Sequence, residues 1–335
     1  MSQITSLYVY KVVAQASAGV PADDLVEGLG LPPGGPADPS RMVTSDAYYD
    51  FFEALVERDP QGLELPLKIG AAMRCDEYGA FGLAWKSAPS LRGAYSRSER
   101  YGRVLGSAET YRLSETDSGY LFELEKSGDG RAGMILSNEA SLAAVNQISR
   151  EVSSEPFAPL AIYFKHSPRG DVAVYENHFG CPVQFGSAHD ALLVSSESMD
   201  APNRLGDATI ARFFDQHLEK ELANLSEDSE LEMTIRRAIG TVLSDGVPSL
   251  SAIASDLGMG ARTLQRRLSD QGLSFQGVVD LARRDLAQKL LRETDYSLAE
   301  IAFLTGFSEQ SGFTRAFKRW AGQTPRSFRL AAKNV

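Results

Sequence analysis

The chain has 335 residues, of which 43% are hydrophobic and 23% charged, and its formal net charge is −10. A length of this order predicts roughly two or three domains with cores of their own. No apolar run approaches the roughly 18 residues of a membrane span, and the start "MSQITSLYVYKVVAQ" lacks the basic and apolar regions of a secretory signal, so the sequence favours a cytoplasmic protein. The two cysteines, Cys75 and Cys181, are too few for a disulfide framework and too far apart for a CxxC site.

The N-terminal two thirds of the chain mixes helical and strand patterns. After a Pro/Gly-rich loop at residues 29–41, "SDAYYDFFEALVERD" predicts a helix that begins at Ser45 or Asp46, because these residue types cap helix N-termini. "SGYLFELEKSGDGRAGMIL" predicts two strands joined across "SGDG", and "LAIYFKH" and "DALLVSS" have strand character, whereas "LRGAYSRSERYGRVLG" and "SNEASLAAVNQISREV" predict helices. We therefore expect an α+β domain, whose strand order the sequence leaves open.

A domain boundary is predicted at "ANLSEDSELEM", residues 223–233, where a polar, acidic stretch separates two helical patterns. The pattern before it, "ATIARFFDQHLEKEL", is typical of an amphipathic helix. We place one domain at residues 1–225 and a second at residues 226–335. Residues 231–335 hold 15 Lys and Arg against 10 Asp and Glu, a net charge of +5, so the remainder carries −15. This asymmetry favours a nucleic-acid-binding segment attached to a domain with a different task.

The C-terminal segment contains an internal repeat. "SLSAIASDLGMGARTLQRRLSDQG" begins at Ser249, and a variant of it, "SLAEIAFLTGFSEQSGFTRAFKRWAG", begins at Ser297. The matching pairs are Leu250 and Leu298, Ile253 and Ile301, Ala254 and Ala302, Gly258 and Gly306 and, after one inserted residue, Leu264 and Phe313, Arg266 and Arg315, Leu268 and Phe317. Each copy has the pattern of a helix-turn-helix, because a small residue permits close helix crossing and a glycine permits a turn with positive φ.

The second helix of each copy is predicted to bury one face and expose a polar one. In the first copy Leu264 and Leu268 lie opposite Arg262, Gln265, Arg266 and Ser269; in the second, Phe313, Ala316, Phe317 and Trp320 lie opposite Ser311, Thr314, Arg315, Lys318 and Arg319. Such faces suit the DNA major groove, where Arg binds guanine, Gln binds adenine, and Lys or Thr binds phosphate. A solvated cationic face is the plainer interpretation of a single motif, and the duplication argues against it.

The C-terminal segment resembles the DNA-binding domain of AraC/XylS-type transcription regulators. "RTLQRRL" matches the family's first recognition helix, and "IAFLTGFSEQSGFTRAFKRWAGQTPRSFR" matches its second-motif signature. The resemblance implies an all-α domain of seven helices in which residues 274–294 form a rigid linker helix between the two motifs. One departure is Gly260 in "LGMGART", where the family usually has Ser or another capping residue, a difference of about a few tenths of a kcal/mol.

The resemblance also implies which side chains meet DNA. Base-reading positions are Arg262, Gln265 and Arg266 in the first motif and Gln310, Ser311 and Arg315 in the second; the phosphate candidates are Thr314, Lys318 and Arg319. With a stiff helix between them, the two recognition helices are expected to enter successive major-groove faces about 34 Å apart. One chain then reads a bipartite site, and a homodimer adds avidity.

Residues 1–225 resemble the sensing domain of the ornithine-utilisation-regulator subgroup of the same family, which has an arabinose-binding-like domain. The resemblance rests on "YGAFGLAWKSAPSLRGAY" and "LAIYFKHSPRGDVAVYENHFGCPVQFGSAHDALLVSSESMDAP". Relatives sense diverse metabolites, so the ligand contacts stay unassigned. An aromatic set either lines an apolar ligand cavity or forms core; it comprises "YYDFF" at residues 48–52, Trp85, Tyr95, Tyr101, Phe122 and Phe164.

A metal site at His178, Cys181 and His189 is conceivable, but "NHFGCPVQFG" is more typical of a turn between short strands, and there is no CxxC or HxxxH pair. The sequence contains no GxSxG elbow, P-loop, strand-linked GxGxxG or HExxH helix, so we predict no catalytic residue, metal or cofactor.

The sequence as a whole predicts a cytoplasmic two-domain transcription regulator that binds double-stranded DNA. The resemblance implies an activator that contacts RNA polymerase and responds to a small metabolite or a partner subunit bound by the N-terminal domain. Two alternatives stay open: an enzyme that a basic tail localises on DNA, and a ligand-independent architectural DNA binder. Turnover by the isolated N-terminal domain would favour the enzyme, and weak sequence preference with strong salt sensitivity would favour the architectural protein.

Overall fold

The computed structural model describes residues 2–35, 38, 41–126, 130–270 and 273–333. Two compact units divide the chain, Met1–Leu222 and Ala223–Val335. The strands are β1 (Gln3–Thr5), β2 (Met42–Thr44), β3 (Glu109–Thr116), β4 (Gly119–Lys126), β5 (Ala161–Tyr163), β6 (Val183–Gln184) and β7 (Ala191–Val194). Within the described ranges no helix is both long and apolar enough to span a bilayer.

Helices of the first unit pack around a mixed sheet. They are α1 (Ser6–Gln15), α2 (Asp23–Gly28), α3 (Ser45–Arg58), α4 (Leu65–Ala72), α5 (Gly79–Ser87), α6 (Leu91–Tyr101), α7 (Ala132–Val152), α8 (Val172–Phe179), α9 (Ser196–Asp200) and the first part of α10 (Ala208–Val242). The five-stranded sheet has the order β3-β4-β7-β5-β6, in which only β5 and β6 pair in parallel, and β1 pairs with β2 in a separate two-stranded sheet. The α+β expectation for this unit is confirmed.

Alternation along β4 shows how the sheet meets its core. Phe122 and Leu124 are fully buried, and the Phe122 ring lies 4.5 Å from the ring of Tyr95 on α6. Tyr95 in turn shares a hydrogen bond of 2.9 Å with the hydroxyl of Ser149 on α7. Because side chains alternate across a strand, the same positions that gave the strand pattern supply the apolar layer against the helices.

The predicted hairpin is wrong in its second strand. The segment "RAGMIL" opens the helix α7 and is not a strand, and residues 127–129 of the predicted connection "SGDG" lie outside the described residues. The hairpin partner of β4 is the preceding strand β3, with Tyr111 opposite Leu124. Close packing accompanies the helix start, since a Cβ on Gly133 would lie 2.5 Å from the Tyr49 carbonyl oxygen.

Three further local expectations need correction. Helix α3 is capped by Thr44, whose hydroxyl accepts from the Ala47 N–H at 3.4 Å, and not by Ser45 or Asp46. "NHFGCPVQFG" begins in the last turn of a helix and not after a strand, because α8 runs to Phe179 and ends at the left-handed Gly180, whose φ is 76°. Residues 223–233 lie inside α10, so the acidic stretch does not separate two helices.

The second unit is all-α, as expected. After the end of α10 come a 3-10 turn at Leu243–Asp245 and the helices α11 (Leu250–Asp256), α12 (Ala261–Asp270), α13 (Phe275–Glu293), α14 (Leu298–Leu304), α15 (Gln310–Ala321) and α16 (Pro325–Lys333). With the end of α10, the described residues of this unit contain seven α-helices, the number that the resemblance implies.

Helix α13 joins two small hydrophobic cores. Its N-terminal half contributes Val278, Val279 and Ala282 to the core around α11 and α12. Its C-terminal half contributes Ala287 and Leu291 to the core around α14 and α15. The predicted linker helix is confirmed at Phe275–Glu293, with the Ser274 hydroxyl capping its start by accepting from the Gly277 N–H at 3.0 Å. Both motifs therefore pack against one continuous helix, α13.

Candidate nucleic-acid interface

The first helix-turn-helix consists of α11 and α12. Ser249 caps α11 by accepting a hydrogen bond from the Ala252 N–H at 3.2 Å. At the end of α11 the chain turns through Gly258, which has a φ of 66°. Two backbone bonds close this turn, from the Gly258 N–H to the Ser255 oxygen at 3.0 Å and from the Met259 N–H to the Ala254 oxygen at 2.9 Å.

The second motif, α14 and α15, repeats this turn bond for bond. The Gly306 N–H donates to the Phe303 oxygen and the Phe307 N–H to the Ala302 oxygen, both at 2.9 Å, and the φ of Gly306 is 76°. These residues are the counterparts of those in the first turn, so the repeat found in the sequence is also a repeat of backbone geometry. The cap is stronger here, because Ser297 and Glu300 form a reciprocal capping box.

Each recognition helix is held by buried apolar side chains on one face. In α12, Leu264 and Leu268 are fully buried, and in α15 the same is true of Phe313 and Phe317. Trp320, which was expected in the buried stripe, is only half-buried. At roughly 1.5 to 3 kcal/mol for each fully buried large apolar side chain, these faces determine which sides of α12 and α15 point outward.

The proposed base-reading side chains all lie on the outward faces. Exposed members are Arg262, Gln265 and Arg266 on α12 and Gln310, Ser311 and Arg315 on α15. Among the described residues, neither Arg266 nor Arg315 has an intramolecular ion pair or side-chain hydrogen bond. The Ser311 hydroxyl is engaged, since it donates to the Glu309 carboxylate at 3.1 Å. The guanidinium groups of Arg266 and Arg315 are therefore available to an outside partner.

The three phosphate candidates differ in their surroundings. Lys318 is exposed and has no partner among the described residues, whereas Thr314 is half-buried. Arg319 is 69% exposed but contacts α13, where its Nη2 lies 3.3 Å from the Asp280 Oδ2. An anion arriving at Arg319 has to compete with this carboxylate, and Lys318 faces no such competition.

One residue that the sequence analysis did not single out connects the linker helix to the second motif. Arg283 on α13 donates from Nε to the Thr305 oxygen at 3.1 Å and from Nη2 to the Gly306 oxygen at 2.8 Å. Its guanidinium carbon lies 4.4 Å from the centre of the Phe307 ring. The signal was present in the sequence, because Arg283 falls within the apolar stripe formed by Val279, Ala282 and Leu286.

The first unit holds a small apolar cavity of about 30 Å³, which has room for water and not for a metabolite. Trp85 lines this cavity, and its indole N–H donates to the Ser98 hydroxyl at 2.7 Å. The other aromatics that the sequence singled out are core residues: Tyr48, Tyr49, Phe51, Phe52, Tyr95, Tyr101, Phe122 and Phe164. Ligand contacts therefore stay unassigned.

The candidate metal donors have separate local roles. The His189 Nδ1 contacts the Glu123 carboxylate, and the His178 ring packs against Phe179 at 5.0 Å. Burial, with a smaller effect from the Arg150 charge, lowers the pKa of His178 to about 4. Burial raises the pKa of the Cys181 thiol to about 11. The described residues contain no cluster of three or more His, Cys, Asp or Glu side chains that could hold a metal ion.

Comparison with known proteins agrees with both halves of this architecture. A profile of the arabinose-binding N-terminal domain of AraC transcription regulators matches residues 19–203, and a helix-turn-helix domain profile matches residues 253–331. The ornithine utilization regulator of Pseudomonas aeruginosa is 30% identical over 80% of this chain and 78% of its own. The transcriptional regulator VirS of Mycobacterium tuberculosis is 30% identical over 83% of each chain.

A solved structure, the transcriptional regulator CdpR of Pseudomonas aeruginosa, aligns with 96% of this chain and 98% of its own at 21% identity and a TM-score of 0.45. The ornithine utilization regulator and VirS match this chain over most of its length, and both of its domains match family profiles. Together with the duplicated motif, these matches identify the protein as a DNA-binding transcription regulator. The chain belongs to the AraC family, with an arabinose-binding-type domain before its helix-turn-helix domain.

Proposed function

We propose that one copy of this protein reads two successive segments of duplex DNA, with α12 in one major groove and α15 in the next. The observation that carries the proposal is the matched pair of turns, which present Arg266 and Arg315 outward from equivalent positions of two helices with buried backs. A guanidinium binds the O6 and N7 of guanine with two hydrogen bonds, and this contact discriminates between bases.

The remaining polar side chains divide between bases and backbone in this proposal. Arg262 and Gln265 join Arg266 on the first segment, and Gln310 and Ser311 join Arg315 on the second. Thr314, Lys318 and Arg319 bind phosphate, and Arg319 exchanges its contact with Asp280 for the DNA backbone. Phosphate contacts position the helices, while the base contacts supply the sequence preference.

Regulation belongs to the first unit in this proposal. A small metabolite or a partner subunit binds residues 1–225, a homodimer adds avidity, and the protein acts in the cytoplasm as an activator that contacts RNA polymerase and not as an enzyme. Support comes from the match of residues 19–203 to an arabinose-binding-type domain. For an effector to act, it must bind one arrangement of the protein more tightly than another.

Selection from a random duplex library with the full chain tests the DNA proposal. The selected duplex should bind at least about 10³-fold more tightly than random DNA of equal length at the same salt concentration. An architectural DNA binder would instead bind both duplexes with similar affinity and strong salt dependence. That result would contradict base reading by α12 and α15.

Footprinting on the upstream region of the protein's own gene, with and without candidate metabolites, tests the regulatory proposal. A true effector should raise the unfolding temperature of the full chain and change the protected DNA or the affinity. A compound that the chain converts to product, with turnover lost when a cavity residue is substituted, would instead support an enzyme.

A further inference from the structure

The turn of the second motif is enclosed on two sides, and the turn of the first is not. A Cβ on Gly306 would lie 2.9 Å from the Leu243 oxygen and 3.4 Å from the Arg283 Nη2. A Cβ on Gly258 would have no neighbour within 4 Å. Among the described residues, no side chain donates to the carbonyl oxygens of Leu257 or Gly258, the counterparts of those that Arg283 binds.

Most of the Arg283 side chain is buried, at the base of an open groove that Arg315 and Arg319 also line. Its side chain is 13% exposed, and its fork reaches the Thr305 and Gly306 oxygens at the C-terminal end of α14. Carbonyl groups at a helix end lack intrahelical donors and carry partial negative charge, so a cation there is favourable. Burial lowers the pKa of Arg283, and yet an arginine stays charged in proteins.

The contact of Arg283 continues into the recognition helix. Phe307, whose ring lies under the guanidinium, packs with Phe313 and with Trp320, and each of these two ring pairs has centroids 5.9 Å apart. Phe313 and Trp320 belong to α15, which also carries Arg315. A continuous set of contacts therefore joins α13 to the helix that presents Arg315.

We propose that Arg283 is a positioning residue for DNA recognition, which binds the turn of the second motif and thereby fixes the orientation in which α15 presents Arg315 to DNA. This inference rests on the proposed base-reading role of Arg315. It makes the linker helix more than a spacer, because the helix sets both the separation of the motifs and the pose of the second one. Among the described residues, no side chain makes the equivalent hydrogen bonds to the turn of the first motif. Loss of Arg283 should therefore affect only the half of the DNA site that the second motif reads.

Full-length Arg283→Met, bound to the duplex selected by the wild type and to single-base variants of it, tests the proposal. Arg315→Ala first identifies the base pairs that the second motif reads. Arg283→Met keeps an apolar side chain of similar length and removes the guanidinium group. We expect it to bind the selected duplex about tenfold more weakly than the wild type. The lost discrimination should fall on the base pairs identified by Arg315→Ala and leave those of the first motif unchanged.

Two further readouts separate positioning from other roles. If Arg283 contacted a phosphate directly, Arg283→Met would reduce the magnitude of the slope of log K against log salt by about one. If Arg283 only positions α15, the variant leaves the slope unchanged. Lys289→Met is the matched control, because it removes one charge from the same helix at a side chain that is 65% exposed and lies 4.0 Å from Glu293. We expect this control to retain wild-type discrimination at every base pair.

Arg283→Lys carries the test if the methionine variant does not fold, as judged by its unfolding temperature. Lysine keeps the charge but lacks the planar fork, so the same half of the site should lose discrimination to a smaller degree. Equal losses in both halves, a lowered salt slope, or the same pattern in Lys289→Met would overturn the inference. If Arg315→Ala maps its base pairs and the Arg283 variants spare them, the inference alone fails; if Arg315→Ala changes no base preference, the base-reading proposal itself fails.

Discussion

Arg266 and Arg315 occupy equivalent positions of the two recognition helices. In the sequence, each lies midway between two fully buried residues, which are Leu264 and Leu268 in α12 and Phe313 and Phe317 in α15. The buried side chains differ in size between the two helices, but the outward-facing arginine has the same position relative to them in both. Because the two helices share this geometry, the proposed contacts can be tested in pairs.

We expect Arg266→Ala and Arg315→Ala each to weaken binding to the selected duplex by about 1 to 3 kcal/mol. Each variant should relax discrimination at its own base pairs, which do not overlap, because the proposed function assigns the two arginines to different grooves. Titration against single-base variants of the duplex measures this. Arg237→Ala is the control, since Arg237 is an exposed arginine on α10 and belongs to neither recognition helix. Equal loss on selected and random DNA would contradict base reading.

Lys318→Ala should weaken binding to selected and random DNA by similar factors. Lys318 has no partner among the described residues, so its charge is available to a phosphate. The slope of log K against log salt should fall in magnitude by about one. Lys289→Ala removes the same charge from α13 and is expected to leave the slope unchanged. A loss confined to the selected duplex would show that Lys318 reads a base.

The two turn glycines are expected to tolerate substitution differently. Gly258→Ala places a side chain at positive φ in open space, a cost of about 1 to 2 kcal/mol. Gly306→Ala adds a Cβ that would lie 2.9 Å from the Leu243 oxygen, so its free energy of unfolding should fall further. Denaturant unfolding followed by Trp320 fluorescence, in a Trp85→Phe background, measures both. Equal destabilisation would contradict the enclosed turn.

His178 should make the first unit sensitive to acid. Its folded pKa of about 4 lies below the ordinary value of 6.5, so the unfolded chain takes up a proton first. The stabilising contribution of neutral His178 is therefore complete above pH 6.5 and is lost as the pH falls towards 4. His178→Gln lacks this titration, and its stability should fall less over the same range. The test measures denaturant midpoints at neutral and at mildly acidic pH, from Trp85 fluorescence in a Trp320→Phe background. Equal losses of stability in the wild type and in His178→Gln would exclude His178 as the cause.

The duplicated motif was predictable because its signals are local. Apolar spacing in "RTLQRRL" indicated which face of α12 is buried, and the glycine that ends each first helix marked the turn. Repetition of the same pattern from Ser249 and from Ser297 then argued against coincidence. The two predictions about exposure, for Arg266 and Arg315, follow from the helical period alone and agree with the structure.

The errors arose where tertiary contacts outweigh local pattern. "RAGMIL" has the apolar density of a strand, but Gly133 lets α7 approach α3 closely, and the helix continues to Val152. Acidic residues at 223–233 suggested a linker, yet glutamate and leucine are good helix formers and α10 runs through them. Arg283 was overlooked for the opposite reason, since its role depends on carbonyl groups of Thr305 and Gly306, which are distant in the chain.

Hydroxyl-radical footprinting of the full chain on its selected duplex tests the central claim most directly. Two protected patches should appear on one face of the DNA, with centres about 34 Å apart. Arg266→Ala should expose one patch and Arg315→Ala the other. A single protected patch, or the same patch exposed by both variants, would contradict the account of one chain reading two grooves.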